Sequence, residues 1–281
     1  MKTGICTLPL IPLRSESSER SEMISQILFG ELVEVIEEND SWIRVRILSD
    51  NYSGWCTKKM VQILPEPVFK TFLNSNPILT ENVLTSCIKQ GDTLPTLFLP
   101  AGSRLYFLDP KKGTFPVFMT TTLKDVAEPE KEVWTIDPIS YSNHSGKTDG
   151  DEIIRIASLF MNAPYLWGGK SILGIDCSGL VQVVFSILGL SLPRDASDQA
   201  LLGERISDLS KSLAGDLAFF ANPEGKVVHV GLLMGDGTII HSSGCVHVDR
   251  MDHTGIFSKS LGKYTHHLFS IKRIISSSSD R

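Results

Sequence analysis

The sequence predicts a multidomain protein in which two small all-β barrels precede an α+β domain, helices first and antiparallel sheet last. Three observations carry this reading. Short alternating runs fill the first 64 residues, a second group of β-rich runs occupies residues 91–136, and after Gly150 the apolar spacing changes from period two to that of a helix. The expected boundaries are 1–64 for the first barrel, 65–90 for a linker with a short helix, 91–136 for the second barrel, 137–150 for another linker and 151–275 for the α+β domain.

In the first barrel, residues 28–37 alternate around Leu32, Val33, Val35 and Ile36. Residues 42–48 put Trp42, Arg44 and Arg46 on one parity and Ile43, Val45 and Ile47 on the other, as a half-buried strand requires. A turn at 50–54, then Trp55 and the run 61–64, close the module. The Gly30-Glu31 pair, Trp42, and the Tyr52, Gly54, Trp55 group resemble bacterial SH3-like domains. Pro65, Pro67 and Pro77 punctuate the next stretch, where a short helix is expected near residues 81–88. Runs at 96–99, 104–108, 115–119 and 133–136 read as a second, divergent SH3-like barrel that lacks the Gly-Trp signature. Residues 137–150, rich in Ser, Gly, Asn and Asp, read as a linker.

In the α+β domain, Ile153, Ile154, Ala157, Phe160 and Met161 recur at helical spacing behind possible N-caps at Thr148, Asp149 and Asp151. A second helix is expected over 176–188, with Leu180, Val181, Val184, Phe185 and Leu188 on one stripe and Gly189 as its stop. Strand-like runs follow at 217–220, 227–234, 238–242, 246–250 and 268–274.

Composition excludes several function classes. With 27 basic against 32 acidic residues the chain carries a net charge of −5, whereas a nucleic-acid binder needs a basic excess to neutralise phosphates. The longest mainly apolar stretch, 179–192, contains Gln182 and is shorter than the ~20 residues of a membrane span, so none is expected. Residues 5–13 are apolar but broken by Pro9 and Pro12, run into Arg14 and a charged segment, and offer no small-residue cleavage site. No signal peptide is read there. Five widely spaced cysteines (Cys6, Cys56, Cys87, Cys177, Cys245) do not make a disulfide framework and point to a reducing, cytoplasmic compartment.

Cys177 is the candidate nucleophile. It sits one residue into the second helix with Asp176 as N-cap, where the positive end of the helix dipole and nearby N–H groups should lower its pKa. Its candidate partners are His229 and His241, on either side of the turn at 235–237. A three-residue loop would set His241 opposite Gly231 and make the two histidines diagonal neighbours on one face, about 7–8 Å apart between backbones. A two-residue loop would put them on opposite faces. Together with a cysteine at a helix start they would make a base and its orienter. A zinc site built from Cys177, His229, His241, Cys245 and His247 lacks the paired Cys-x2-Cys or His-x3-His elements, and no metal or other cofactor is expected. His253, His266 and His267 read as surface residues, and the Gly-rich pieces lack the strand-to-helix context of a phosphate loop.

Six motifs in order carry a family resemblance: 163–169 (APYLWGG), 174–180 (GIDCSGL), 192–195 (LPRD) with Gln199, 214–217 (AGDL), His229-Val230-Gly231, and His241. Over residues 150–275 the chain resembles the NlpC/p60-type papain-like cysteine peptidases. With the leading SH3-like segments it is most similar to the γ-D-glutamyl-L-diamino acid endopeptidases of dipeptidyl-peptidase VI type. The resemblance implies a papain-like α+β fold and cleavage of the γ-D-glutamyl–diamino acid bond in murein stem peptides with a free N-terminal L-alanine, in fragment recycling. The expected partner is a murein tripeptide or related stem peptide, and the chain is expected to be a monomer. Cys177 would be nucleophile, His229 general base and His241 its orienter, with Tyr165 donating to the oxyanion. Asp176 and Ser178 would line the pocket for the D-glutamyl carboxyl group, and Asp195, with Glu22 and Tyr52, would meet the substrate amine. The alternative is a cell-wall-binding SH3-like protein with an inactive or amidase-type papain-like domain.

Overall fold

A computed structural model of the chain describes residues 2–119, 130–137, 141–142 and 149–275. The chain divides into two compact units, Met1–Asn143 and His144–Arg281.

The first unit opens with a seven-stranded antiparallel sheet ordered Met23–Leu28, Leu10–Arg14, Ser53–Thr57, Trp42–Ile47, Leu32–Glu38, Thr3–Cys6, Val61–Leu64. Its core holds Ile11, Leu13, Ile27, Val33, Ile43, Val45 and Ile47, so the buried parity of Trp42–Ile47 is the one the alternation requires. The run expected at 28–37 is interrupted, because Gly30 takes φ +78° and a Cβ there would lie 2.1 Å from the Arg104 carbonyl oxygen. Glu31 follows it, 2% exposed, accepting from the Leu28 N–H and the Ser49 hydroxyl and pairing with Arg104 Nη1 at 3.0 Å.

Beyond the barrel, a four-stranded sheet (Leu97–Pro100, Leu84–Lys89, Glu130–Ile136, Thr114–Met119) and a three-stranded one (Arg104–Leu105, Ile78–Thr80, Tyr141–Ser142) form a second small all-β module. Phe29 reaches into its core beside Phe115, Leu99 and Trp134. Residues 65–90 differ from the expected linker. The helix lies earlier, at α1 (Glu66–Leu73), and 84–89 is a strand in which Thr85 and Cys87 are buried while Leu84 and Ser86 face out. Pro67 sits in the first turn of α1, where its missing N–H costs nothing, and Phe69 and Phe72 pack on Ile5, Leu64 and Tyr106. The strand expected at 104–108 stops at Leu105, since Phe107 adopts φ +56°. Most of the linker expected at 137–150, with Thr148, lies outside the described residues.

In the second unit, Asp149 caps α2 (Gly150–Ser158) by accepting from the Glu152 N–H. Helix α3 (Cys177–Ile187) is capped by Asp176 and followed by Gly189 at φ +80°. All its residues but Ser186 are buried, which explains its apolar character on every side. A short α4 (Ala196–Gln199) precedes the sheet, ordered Glu204–Ile206, Lys263–Arg273, Leu217–Ala221, Val227–Leu233, Thr238–Ser243, Cys245–Met251, Gly255–Ser258. Gly255–Ser258 also pairs with Lys263–Arg273, so six of the seven strands close into a ring. α3 packs against Val227–Leu233 and Thr238–Ser243, and this places the start of the helix beside the central hairpin.

Candidate active site

Three pieces of chain bring the site together. The first is the start of α3. Asp176 accepts from the Gly179 N–H at 2.7 Å and the Gly168 N–H at 2.8 Å, and binds Arg194 through both carboxylate oxygens, at 3.0 and 2.5 Å. Arg194 also reaches Ser178 Oγ at 2.9 Å. Asp176 and Arg194 are 4% and 2% exposed, so their charges are tolerable only because each satisfies the other. Gly179 permits the close approach: a Cβ there would stand 2.3 Å from the Gly169 carbonyl oxygen. Asp176 and Ser178 therefore lock the helix start onto Arg194 and the 168–169 loop. Arg194 was not among the expected site residues, although the LPRD motif contains it.

The second piece is the hairpin. Gly231 pairs with His241, Leu232 with Ile240 and Leu233 with Ile239, the register of the three-residue loop. His229 and His241 then share a face, and His229 Nε2 lies 2.9 Å from His241 Nδ1. Gly231 leaves the space this needs, since a Cβ there would come within 2.9 Å of His241 Cβ. Both imidazoles are buried, and burial first, then neighbouring imidazoles, pushes the pKa of each down, His229 well below the usual 6.5. His266 does not lie free on the surface as expected: it stacks on His229 with ring centroids 4.1 Å apart. His247 lies across the strand pair from His241, and Asp249 follows on the same face.

The third piece carries Tyr165. The Asn162 N–H donates to the Val246 carbonyl, the Val246 N–H to Ala163, and the Tyr165 N–H to Gly244, stitching this segment to the turn between Thr238–Ser243 and Cys245–Met251. The Ser242 hydroxyl adds a buried bond to the Ile175 carbonyl, two residues before Cys177. Burial pushes the Tyr165 phenol up to about 12, with the charges of Cys177 and Asp176 adding to it, so its hydroxyl keeps its proton.

Cys177 opens α3 and is buried against the Val230 backbone, next to His229. The thiol pKa moves opposite to the sequence expectation. Burial pushes it up to about 11 and the Asp176 carboxylate adds to the rise, outweighing backbone hydrogen bonds at Val230 and Ser178 and the Arg194 charge. Before substrate binds, the Cys177 thiol and the His229 imidazole are therefore each held in the neutral form. Asp195 is half-buried at the N-terminus of α4. In the first unit, Glu22 is exposed and Tyr52 packs partly buried on the barrel core.

Comparison with known proteins adds the family context. Residues 162–265 match the model of the NlpC/P60 family, and residues 13–59 that of the bacterial dipeptidyl-peptidase SH3 domain. The chain is 32% identical over 232 residues to a γ-D-glutamyl-L-lysine dipeptidyl-peptidase of Bacillus subtilis (strain 168), covering 78% of this chain and 71% of the relative. It is 26% identical over 240 residues to dipeptidyl-peptidase 6 of Lysinibacillus sphaericus, covering 82% and 84%. A crystal structure of an NlpC/P60 family protein from Bacillus cereus superposes with a TM-score of 0.79 at 18% identity, covering 98% of this chain and 100% of the other.

Proposed function

The chain belongs to the NlpC/P60 family, and from that premise we propose that this peptidase cuts the γ-D-glutamyl–diamino acid bond of murein stem peptides with a free N-terminal L-alanine. The observation that carries the reading is the placement of Cys177 at the start of a buried helix, beside the strand whose His229 is held by His241 at 2.9 Å.

With His229 Nε2 engaged by His241, Nδ1 is the nitrogen left to take the Cys177 proton. As that proton moves, Sγ attacks the γ-carbonyl carbon of D-glutamate. The oxyanion that forms is met by the Cys177 N–H, which has no intrahelical acceptor at the first helical position, and by the Tyr165 hydroxyl. The imidazolium then gives its proton to the departing amine of the diamino acid. Water, activated by the same imidazole, hydrolyses the thioester and releases L-Ala-D-Glu. His241 keeps the His229 ring aimed throughout.

The family resemblance supports a role for Asp195 in meeting the free α-amine of the substrate. Acids that pair an ammonium are left unpaired when the amine is acetylated, so such a site discriminates by roughly a hundredfold or more. A substrate of this kind is an already soluble fragment, which fits recycling in the cytoplasm, and the five cysteines are all free thiols.

The test is to incubate the protein with L-Ala-γ-D-Glu-diaminopimelate, its L-lysine counterpart, the N-acetylated forms and a muramyl peptide, and to follow release of L-Ala-D-Glu. The reading expects cleavage of the free-amine tripeptides, with Asp195→Asn eroding the preference. Equal kcat/KM for free and acetylated peptides would overturn it.

A further inference from the structure

Behind His241, away from His229, lies a group of side chains that the reaction above does not use. His241 is 1% exposed, and its Nε2 makes no hydrogen bond among the described residues; it points at Asp249 Oδ2 from 3.5 Å. His247 Nε2 lies 3.1 Å from the same oxygen. The other nitrogen of His247, Nδ1, is 2.8 Å from the Cys245 carbonyl oxygen, which can only accept, so Nδ1 carries a proton. With Nδ1 spent on the Cys245 carbonyl, Nε2 is the His247 nitrogen that faces the Asp249 oxygen, 3.1 Å away. The three ligand atoms, His241 Nε2, His247 Nε2 and an Asp249 carboxylate oxygen, all lie within 4.8 Å of one another.

We propose that His241, His247 and Asp249 bind a zinc-class divalent cation, and that its binding silences the peptidase. Two imidazoles and a carboxylate suit zinc, with bonds of about 2.0–2.2 Å and a fourth position for water. His247 is the more exposed of the two histidines and has room to close on the ion, while its bond to the Cys245 carbonyl fixes the ring in the ligating tautomer. This set differs from the zinc grouping weighed from the sequence: it adds Asp249 and leaves out Cys177, His229 and Cys245.

Inhibition follows from tautomers and rests on the roles proposed above for Cys177 and His229. For His229 Nδ1 to accept the thiol proton, His229 must carry its own proton on Nε2 and donate it to His241 Nδ1, whose ring then holds its proton on Nε2. A metal on His241 Nε2 forces that proton to Nδ1. His241 now donates to His229 Nε2, and the His229 proton moves to Nδ1, the position facing the thiol. Each ring keeps one proton and none is released, yet the base has lost its free lone pair.

The binding experiment is isothermal titration of the full-length Cys177→Ala variant with zinc chloride, which reads occupancy without needing activity. One site of micromolar or tighter affinity is expected, weakened about tenfold or more by His247→Ala and unchanged by Cys245→Ser. An absence of binding, or binding that His247→Ala leaves intact, overturns the site. The kinetic experiment adds zinc to the Cys177-containing enzyme turning over tripeptide, where inhibition relieved by EDTA and shifted to about tenfold higher zinc in His247→Ala is expected. Titratable binding without inhibition would keep the site and overturn the silencing. A preparation that cleaves no tripeptide would count against the proposed function and leave the titration to decide the site.

Discussion

His229 Nε2 and His241 Nδ1 share a single hydrogen bond of 2.9 Å across neighbouring strands, and the chemistry of the site depends on which ring supplies its proton. The contact exists because the loop at 235–237 has three residues, Gly231 has no side chain, and His241 is held one diagonal step from His229. The bond is directional, so the role proposed for His241 is to orient and polarise its neighbour.

A substitution series at position 241 measures that role. His241→Ala should lower kcat by roughly a hundredfold or more, because the His229 ring loses its partner. His241→Asn, which keeps a polar group near the Nδ1 position, should retain more activity than His241→Ala. Steady-state kinetics on the free-amine tripeptide give the ranking, and equal activity of both variants with the parent would remove His241 from the mechanism.

The thiol should betray its protonation state on alkylation. With a pKa pushed up to about 11, Cys177 is mostly protonated at neutral pH, and its thiolate fraction grows as pH rises. Inactivation by iodoacetamide should therefore quicken by about tenfold per pH unit between 7 and 9, with Cys177 the modified residue in mass spectra. A rate already level from pH 5 upward would mean that a thiolate–imidazolium pair exists before substrate arrives. Cys177→Ala should abolish turnover and leave the unfolding midpoint unchanged within experimental scatter.

Arg194 offers a stability test that separates two roles for Asp176. Replacing Arg194 with Leu leaves a buried carboxylate without its counter-ion, a loss of about 3–5 kcal/mol. Urea unfolding followed by circular dichroism should show the drop, and Arg194→Lys should recover only part of it, since one ammonium cannot replace a two-pronged contact. Were Asp176 chiefly a substrate ligand, Asp176→Asn would raise KM and leave the unfolding midpoint alone. The expected outcome is loss of stability.

Acid should destabilise the second unit through its buried imidazoles. In the folded chain, burial lowers the pKa of His229 and His241 below the usual 6.5, so beneath that value the unfolded chain takes up protons that the folded chain refuses. Their contribution is present in full above about 6.5 and falls away as pH drops toward the lower folded values. Denaturant midpoints measured from pH 7.5 down to 4.5 should decline, and His241→Asn should flatten the decline. An unchanged slope in that variant would mean that carboxylates dominate it.

What the sequence made legible was local or periodic. The start of α3 with Cys177, its cap at Asp176, and the hairpin carrying His229 and His241 all follow from spacing and turn length. Tertiary context decided the rest. α1 lies where Pro65 and Pro67 read as linker punctuation, since Pro67 belongs to a first helical turn, and within the helix expected at 81–88 the chain forms the strand Leu84–Lys89, whose burial alternates. No spacing rule brings His266, 37 positions from His229, to stack on it; the closing of the strand ring does so, with a bulge at Ile256/Phe257. The rise in the Cys177 pKa was also hidden, since a helix start is visible in one dimension and the burial that opposes it is not.

The junction between Glu31 and Arg104 constrains how the first barrel can be inherited. A crossover placed at residue 64 would seem to fall in a convenient gap, yet it would hand on a barrel whose buried Glu31 has lost its cation and whose Phe29 has lost its pocket. The chain left behind would keep Arg104 with nothing to neutralise and a core missing one aromatic ring. Recombination that preserves both partners must therefore carry residues 1 through at least Arg104, with the strands that hold Arg104, as one cassette. Chimeras joined after the second β module should fold where chimeras joined at residue 64 aggregate.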